Sequence, residues 1–315
     1  ETQDKAADTP KTPATSTVEV PEGPFLGMQP TDTPTLLAPD FLSRPLTEYN
    51  GTFSPDGKTF FYTSELKNGY ICFTELGPDN RWTKPRVAPF SGIHSEYDPL
   101  FKPDGKRLYF SSERPVEGQD GKTRTNIWYV DRQEGGWSAP QHVPLTGNGD
   151  YYSSLTRSGT IYFNVWSKGD LFKAVPNDTG YAISALPEHL NSRSDAGDPF
   201  ISPDEDYLIY RAYYKEGFGR GDLYISFRDG EKWTEPQNMG EKVNSKAHEM
   251  CPSVSPDGRF FIWASTRMSK PYPELPGGEL DALLECLNSV ENGNLNIYYM
   301  SADFIEDLRA EALGK

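Results

Sequence analysis

Cysteine and histidine are scarce in this chain, which has 3 cysteines and 4 histidines among its 315 residues. Cys72, Cys251 and Cys286 form an odd set without a Cys-x-x-Cys spacing, so neither a disulfide framework nor a zinc site follows from them. Cys72 and Cys251 lie in strand-like stretches, and we expect both to be buried structural thiols.

Positively charged residues are outnumbered by negatively charged ones, and long apolar runs are lacking. The chain carries 31 Lys and Arg against 46 Asp and Glu, which gives a net charge of −15 and a pI near 4.8. Such a surface repels phosphate backbones and anionic bilayers, so nucleic-acid binding is not expected. No stretch reaches the roughly 18 apolar residues of a transmembrane helix. Suitable partners are neutral glycans, cations, basic peptides or another protein.

Residues 1–24 show no apolar periodicity and are rich in Thr, Pro, Ala and Glu. A segment of this composition does not bury enough surface to fold, so we predict a flexible tether over 1–24 and one domain over 25–315. The sequence begins with Glu1 rather than Met, which is typical of a processed or shortened chain. We therefore expect an exported protein, in the periplasm or at the cell surface, with a lipid tether at the N terminus as one form of attachment. An ordinary frayed terminus is the alternative.

Gly and Pro are abundant, with 28 and 27 copies, and they mark a repeated phrase. Four good copies and one weaker copy occur: FSPDGKTFFYTSE, FKPDGKRLYFSSER, ISPDEDYLIYRAY, VSPDGRFFIWASTR and the weaker LTRSGTIYFNVWS. Their turns begin at Pro55, Pro103, Arg157, Pro203 and Pro256, so the spacings are 48, 54, 46 and 53 residues. This period is close to the roughly 40–50 residues of a four-stranded propeller blade.

Each repeat continues with further strands in a fixed order. A strand precedes the Pro-Asp-Gly turn, an aromatic-rich strand follows it, and a third strand such as NIWYV or DLYIS comes next. A fourth strand opens near Trp82, Trp137 or Trp233, but the fifth repeat lacks one and runs into FIEDLRAEAL, a short C-terminal helix. Residues 35–39 stand ahead of the first repeat and would supply the missing strand, closing the ring. The prediction is an all-β, single five-bladed β-propeller of four-stranded blades, closed by an N-terminal strand.

The Ser-Pro-Asp-Gly-[Lys/Arg] turn, followed by paired aromatics and then by [Asp/Asn]-Ile-Tyr, resembles the WD40-like PD40 repeat of TolB-like propellers over about residues 45–303. That family includes periplasmic scaffolds, domains of tricorn-type and prolyl-oligopeptidase-like peptidases, and a metal-dependent oligogalacturonate lyase. The chain has no G-x-S-x-G motif, which leaves a peptidase activity unsupported. Its histidines, His94, His142, His189 and His248, fall in different repeats rather than in the histidine-rich centre of the lyase.

One face of the predicted propeller collects charged residues. Strand direction alternates within a blade, so residues just before the first strand or just after the second lie opposite the Pro-Asp-Gly turns, nearest the axis. Each repeat places a carboxylate there, three add an arginine, and aromatic rings flank them, as a polar ligand site requires. We call this face the mouth; its predicted ligand-binding residues are Glu48, Glu65, Glu96, Arg114, Asp150, Trp166, Asp195, Arg211, Tyr213, His248 and Arg267.

The same residues also have a structural interpretation, in which the acids cap backbone amides and the arginines are their ion-pair partners. Alternatively, His248 and Glu249 beside Asp98 or Asp198 would offer mixed nitrogen and oxygen ligands to a divalent cation; no other cofactor is expected.

Two functions fit these patterns. The first is a non-catalytic binding module for a protein, peptide or glycan, favoured by the absence of a known catalytic motif. The second is a glycoside hydrolase or polysaccharide lyase, with Asp98, Asp198 and Glu249 as acids. Deep burial and a raised pKa of one carboxylate would favour the enzyme, and a shallow, solvated ring would favour binding.

An insertion at residues 268–293 of the fifth repeat stands outside the pattern and predicts a short helix from Glu279 to Asn288. It leaves from the mouth, where it would cover the site, or else it is a peripheral loop packed on the rim.

Overall fold

The computed structural model describes residues 18–118, 125–165, 169–191, 195–214, 216–269 and 279–314. Most of the tether predicted for residues 1–24, together with Trp166, therefore lies outside the described residues. From Pro21 onwards the chain contacts the first blade, where the backbone N–H of Gly23 donates to the carbonyl of Asn80 at 3.0 Å.

The repeated phrase folds locally into a β-hairpin turn. In the first copy the Ser54 hydroxyl donates to Oδ1 of Asp56 at 2.6 Å and accepts the backbone N–H of Thr59 at 2.9 Å. Gly57 has a φ of 66°, a left-handed conformation that glycine adopts without a steric penalty. The turn is therefore held by its own residues.

Two repeats depart from the phrase but keep the turn. In the weak copy Thr156 replaces the serine, and its hydroxyl lies 2.8 Å from that of Ser158 and accepts the N–H of Thr160 at 3.0 Å. In the copy ISPDEDYLIYRAY, Glu205 occupies the glycine position with a φ of 59°. The hairpin thus tolerates side chains that the consensus lacks.

These hairpins build five antiparallel sheets, which are the blades. The chain starts with a 3-10 turn at Pro24–Gly27 and the strand β1 (Thr35–Leu36). Blade one contains β2 (Thr47–Phe53), β3 (Thr59–Glu65), β4 (Gly69–Glu75) and β5 (Arg86–Val87). Blade two contains β6 (Glu96–Phe101), β7 (Arg107–Ser112), β8 (Asn126–Gln133), β9 (Gly136–Trp137) and β10 (Gln141–His142). Blade three contains β11 (Asp150–Leu155), β12 (Ile161–Val165), β13 (Asp170–Asn177) and β14 (Gly180–Ala185).

The last two blades carry the helices. Helix α1 (Glu188–Asn191) leads into blade four, which contains β15 (Gly197–Ile201), β16 (Tyr207–Ala212), β17 (Asp222–Asp229), β18 (Lys232–Trp233) and β19 (Gln237–Asn238). Blade five contains β20 (Glu249–Val254), β21 (Phe260–Ser265), α2 (Leu280–Leu287), β22 (Asn296–Ser301) and the following helix α3 (Phe304–Ala312). The remaining strand of its sheet is β1, whose Leu36 faces Tyr298 of β22.

The innermost strands β2, β6, β11, β15 and β20 surround the axis, and β2 contacts both β6 and β20. Between the blades lie apolar layers, for example the one in which Phe61 stacks on Phe73 at 5.2 Å and meets Trp137 edge-on at 5.6 Å. Burying such rings removes large apolar areas from water, which is the main force holding neighbouring blades together.

The predicted all-β propeller with five four-stranded blades and a short C-terminal helix is confirmed. In blades two and four the outermost strand is divided into two short ones, β9 with β10 and β18 with β19. The insertion in blade five carries α2, close to the bounds predicted for its helix. No helix in the described part of the chain is long and apolar enough to cross a bilayer.

Candidate functional site

Each innermost strand contains a β-bulge, where its register against the second strand shifts. One residue of each bulge has a left-handed backbone although it is not glycine, which is uncommon. These five residues, the bulge ring, are Asn50 (φ 50°), Asp98 (φ 54°), Tyr152 (φ 47°), Asp198 (φ 55°) and Cys251 (φ 52°). All five are buried. Because the bulge recurs in every blade, it turns equivalent side chains toward the axis.

Residues of the bulge ring form hydrogen bonds between different blades. Nδ2 of Asn50 donates to Oδ1 of Asp98 at 3.3 Å. The Tyr152 hydroxyl donates to the carbonyl of Pro252 at 3.1 Å and lies 3.4 Å from Oδ1 of Asn50. Hydrogen bonds thus link blades one, two, three and five near the axis.

The two aspartates of the bulge ring have different surroundings. Nε of Arg211 donates to Oδ2 of Asp198 at 2.9 Å, so this carboxylate is charge-balanced. Asp98 is 1% exposed, and its Oδ2 has no hydrogen-bond partner among the described residues. Burial first, and the charge of Asp198 second, raise the pKa of Asp98 well above its usual value. The two carboxyl groups therefore differ: Asp198 is ion-paired with Arg211, whereas Asp98 has a raised pKa.

Cys251 shares this environment. Burial, followed by the charges of Asp198 and Asp98, raises the pKa of its thiol well above the usual range. The group is therefore a protonated thiol rather than a reactive thiolate.

A second set of carboxylates lies at the start of four inner strands: Glu48, Glu96, Asp150 and Glu249. They are 0–2% exposed and accept hydrogen bonds from the loops that precede them. Oε2 of Glu96, for example, accepts the Ser91 hydroxyl at 2.8 Å and the N–H of Gly92 at 3.1 Å. Blade four differs, because Ala196 occupies the corresponding place.

Arginines form ion pairs with two of these four carboxylates. Arg114 donates to Oε1 of Glu96 at 3.1 Å and also to the carbonyl of Phe90. Arg267 lies 3.5 Å from Oε1 of Glu249 and donates to the carbonyl of Val243. Both guanidinium groups are thereby held against loop backbone, with side chains 15% and 17% exposed.

The remaining predicted mouth residues are more accessible. The ring of Tyr213 is exposed, stacks on His248 with centroids 5.8 Å apart, and has the guanidinium carbon of Arg211 4.9 Å from its centroid. Glu65 accepts the Tyr49 hydroxyl at 2.8 Å. Asp195 is exposed beside Gly169.

The two residues predicted to begin the cation site, His248 and Glu249, have separate contacts within the protein. His248 stacks on Tyr213, whereas the Oε1 atom of Glu249 accepts hydroxyls of Ser245 at 2.6 Å and Ser265 at 2.8 Å. Within the described ranges no three His, Cys, Asp or Glu side chains converge as a metal site would require.

A cavity of about 380 Å³ opens on the axis at the opposite face, where the five hairpin turns meet. Pockets for small ligands have volumes of about 300–1,000 Å³. Its rim includes the turn residues Pro55, Pro103, Arg157, Pro203 and Pro256. Its floor includes Gly51, which follows Asn50 of the bulge ring, and Ser253, which stands two residues after Cys251. We call it the axial cavity.

The wall of the axial cavity is largely apolar, with Leu100, Leu155, Phe200, Val254 and, from helix α3, Ile305. Two ion pairs lie at the rim. Nε of Arg157 donates to Oδ1 of Asp204 at 2.7 Å, and Arg309 donates to Oδ2 of Asp206 at 2.8 Å. The arrangement combines an apolar interior with a rim bearing both signs of charge.

Sequence reasoning missed the axial cavity, because it treated the repeated turns as hairpin chemistry alone. The signal was present, since five copies of one turn around an axis must form a ring. What the sequence lacks is the distance of that ring from the axis.

No family model and no curated protein matches this chain. Among solved structures, TolB from Acinetobacter baumannii is 22% identical over 58% of this chain and 41% of that one, with a TM-score of 0.41. A GH43 protein from Bacillus licheniformis is 12% identical over 72% of this chain and 50% of that one, with a TM-score of 0.46. A GH43 protein of a Bacteroides ovatus xyloglucan locus is 12% identical over 79% and 51%, with a TM-score of 0.45. The chain therefore spans about half of the GH43 proteins and less than half of TolB, and resemblance at this level assigns no activity to it.

Proposed function

We propose that this chain is a non-catalytic binding module that takes a peptide segment with an apolar side chain into its axial cavity. The observation that carries the proposal is the cavity itself: about 380 Å³, on the axis, with an apolar wall. A concave apolar pocket with a few polar groups at its edge is the usual form of a ligand site.

The rim favours a peptide over a glycan. The Arg157–Asp204 and Arg309–Asp206 pairs offer both donors and acceptors to a peptide backbone without leaving a net charge to be neutralised. The wall combines aliphatic residues such as Leu100, Leu155 and Val254 with the aromatic residues Phe53, Phe101, Phe200 and Tyr207. An apolar side chain between two peptide units matches this distribution.

The predicted catalytic acids bear on both candidate functions: their lack of exposure favours binding, whereas the raised pKa of buried Asp98 meets the criterion for an enzyme. Asp98, Asp198 and Glu249 are 0–1% exposed, so a glycosidic bond has no path to them in this conformation. Two carboxyl groups that flank a substrate must both reach it. A glycan-active enzyme remains the second candidate because Asp98 combines deep burial with a raised pKa, the state of a general acid.

The test is thermal unfolding of the purified chain with a defined panel. The panel contains capped pentapeptides with a central Leu, Phe, Lys or Glu, neutral and acidic oligosaccharides, and calcium chloride. A ligand at about a hundredfold excess over its dissociation constant adds about 2.7 kcal/mol to the unfolding free energy. We expect the Leu or Phe peptides to give the largest shift.

A matched pair of variants locates the site. Val254→Trp fills the axial cavity from a half-buried position, and Tyr213→Ala removes an exposed ring at the mouth. The proposal requires loss of the shift in Val254→Trp and its retention in Tyr213→Ala. The reverse pattern would place binding at the mouth, and a shift with an oligosaccharide that disappears in Asp98→Asn would favour the enzyme.

A further inference from the structure

Large apolar side chains that remain exposed are concentrated on the mouth of the propeller. Among the described residues eleven such side chains are exposed, and seven of them lie in connections at this face. They are Leu66, Ile93, Tyr213, Phe218 and three leucines of helix α2. The other four lie near the N terminus or in strands of blades one and three, and none lies in a hairpin turn at the opposite face. Single exposed apolar residues are common, so it is their distribution that carries information.

The strand order places these seven side chains on one face. Leu66 lies between β3 and β4, Tyr213 and Phe218 lie between β16 and β17, and α2 lies between β21 and β22. Ile93 lies in the passage from β5 of blade one to β6 of blade two. Because the hairpin turns join the first two strands of each blade at one face, both of these kinds of connection lie at the other. The apolar side chains are therefore distributed around the mouth and not gathered in one pocket.

Two of these side chains project almost completely into solvent. Ile93 is 87% exposed and Leu66 is 73% exposed. Neither belongs to an apolar cluster of the described chain. An aliphatic side chain that stays in water forgoes the free energy that its burial would release. These two residues therefore add little to the stability of the fold and are free to enter an apolar phase outside the protein.

Helix α2 provides a separate observation of the same kind. None of its residues is buried, and Leu280, Leu284 and Leu287 are 64%, 42% and 42% exposed. Their i, i+4, i+7 spacing places the three leucines on one stripe of the helix, whereas Asp281 and Glu285 lie on another side. A helix of eight residues is marginal in water and depends on packing of its apolar stripe. In α2 that stripe is open to solvent.

The residue types favour a lipid surface over a protein partner. Five of the seven side chains are Leu or Ile, whereas the centres of protein interfaces are enriched in Trp, Tyr and Arg. A short helix with leucines on one side and charged residues on another is suited to the boundary between lipid headgroups and acyl chains. A bilayer also presents a plane, which apolar loops placed around a ring can reach together.

The charges indicate which kind of bilayer fits. With a net charge of −15 the chain is repelled by anionic headgroups. The charged side chains next to the apolar ones have both signs, with Lys67 and Arg220 exposed on two of the loops and Asp281 and Glu285 on α2. A zwitterionic headgroup also carries both signs of charge, so it can pair with either without leaving a net charge at the contact.

We propose that the mouth of this propeller binds the surface of a zwitterionic lipid bilayer, with the apolar side chains of its loops and of α2 inserted among the headgroups and the first part of the acyl chains. This contact is independent of the peptide site, because none of the seven side chains lines the axial cavity. The cavity opens on the opposite face and stays accessible while the mouth is bound.

Flotation of the full chain with phosphatidylcholine vesicles tests this proposal. One test variant is Leu66→Ser with Ile93→Ser, and a second is Leu280→Ser with Leu284→Ser. The control is Val175→Ser with Ile183→Ser, which removes two exposed apolar side chains from blade three, away from the mouth loops. All six side chains are exposed, and an unchanged thermal unfolding midpoint verifies that each variant keeps the fold.

We expect the wild type to float with the vesicles, with about a tenfold weaker partition coefficient in each test variant and little change in the control. Binding should persist at high salt, because it does not depend on charge. Equal losses in test and control variants would overturn the proposal. So would tighter, salt-sensitive binding to vesicles that also contain phosphatidylglycerol, since charge would then drive the contact. Absence of flotation with phosphatidylcholine would likewise overturn it and leave a protein as the occupant of this face.

Discussion

Nδ2 of Asn50 donates a hydrogen bond to Oδ1 of Asp98 across 3.3 Å, and so joins equivalent positions of neighbouring blades that lie 48 residues apart in the chain. The centre of this propeller is thus tied together by polar side chains on left-handed backbone, with the apolar layers lying between the blades. A buried polar network of this kind is strong only where its members are satisfied.

The Arg211–Asp198 pair is the first point at which this network can be tested. Asp198 is 1% exposed, so Asp198→Asn leaves a mostly buried guanidinium without its counter-charge. We expect a loss of about 3–5 kcal/mol in unfolding free energy, measured by urea titration at neutral pH. The control is Asp204→Asn in the exposed Arg157–Asp204 pair, which should cost no more than about 1 kcal/mol. Equal costs for the two variants would contradict this account.

Glu48 should give a pH-dependent contribution to stability. Burial raises its pKa from 4.5 to about 7, although the backbone N–H and guanidinium of Arg44 oppose that rise. Between these two values the folded protein holds a proton that the unfolded chain has released. Its contribution to stability is therefore fully present below pH 4.5 and is lost as the pH rises through about 7.

Glu48→Gln removes this dependence. The difference in unfolding free energy between wild type and variant should change by about 3 kcal/mol across that window, measured by urea titration at stepped pH. Glu134→Gln, on an exposed glutamate, serves as the control. Parallel pH profiles for wild type and Glu48→Gln would show that Glu48 ionises normally in the folded protein.

The three thiols should differ in reactivity. Cys72 and Cys251 are buried and have raised pKa values, whereas Cys286 on α2 is partly exposed. A thiol-specific chromogenic reagent should modify Cys286 rapidly in the native protein and the other two only in denaturant. Cys286→Ser should abolish the rapid phase. Rapid modification of Cys251 would mean that the bulge ring is open to solvent.

Leu37, directly after β1, should contribute substantially to the unfolding free energy although β1 has only two residues. It is 1% exposed, and its N–H donates to the carbonyl of Ile297 at 2.8 Å. Leu37→Ala should cost about 2–5 kcal/mol, measured by denaturant unfolding. Ala substitution of the exposed Leu66 is the control, and a similar small effect of both would indicate that this N-terminal segment is not held against blade five.

The fold followed from the sequence because its determinants are local. Ser54 and Asp56 close their hairpin with their own hydrogen bonds, and the consecutive aromatic residues Phe60, Phe61 and Tyr62 in the next strand indicate a strand that is buried on both faces. These signals recur in each repeat, so even the copy with Arg157 in place of proline could be aligned.

The site was less accessible to such reasoning. The acids at the inner-strand starts were predicted at the mouth, but burial depends on how many loop N–H groups turn toward a carboxylate, as Gly92 does toward Glu96. None of the five bulge-ring residues is a glycine, so no residue type in the sequence marks their left-handed backbone. A usable signal did exist, because Asn50, Asp98, Tyr152 and Cys251 each stand two residues after one of those acids.

The central claim is that a ligand occupies the axial cavity, and amide hydrogen exchange with and without the best peptide of the panel tests it most directly. The account predicts added protection at the hairpin turns around Pro55, Pro103 and Pro256 and in helix α3, all of which line the cavity. Protection confined to the loops around Tyr213 and His248, with the turns unchanged, would contradict it and return the binding site to the mouth.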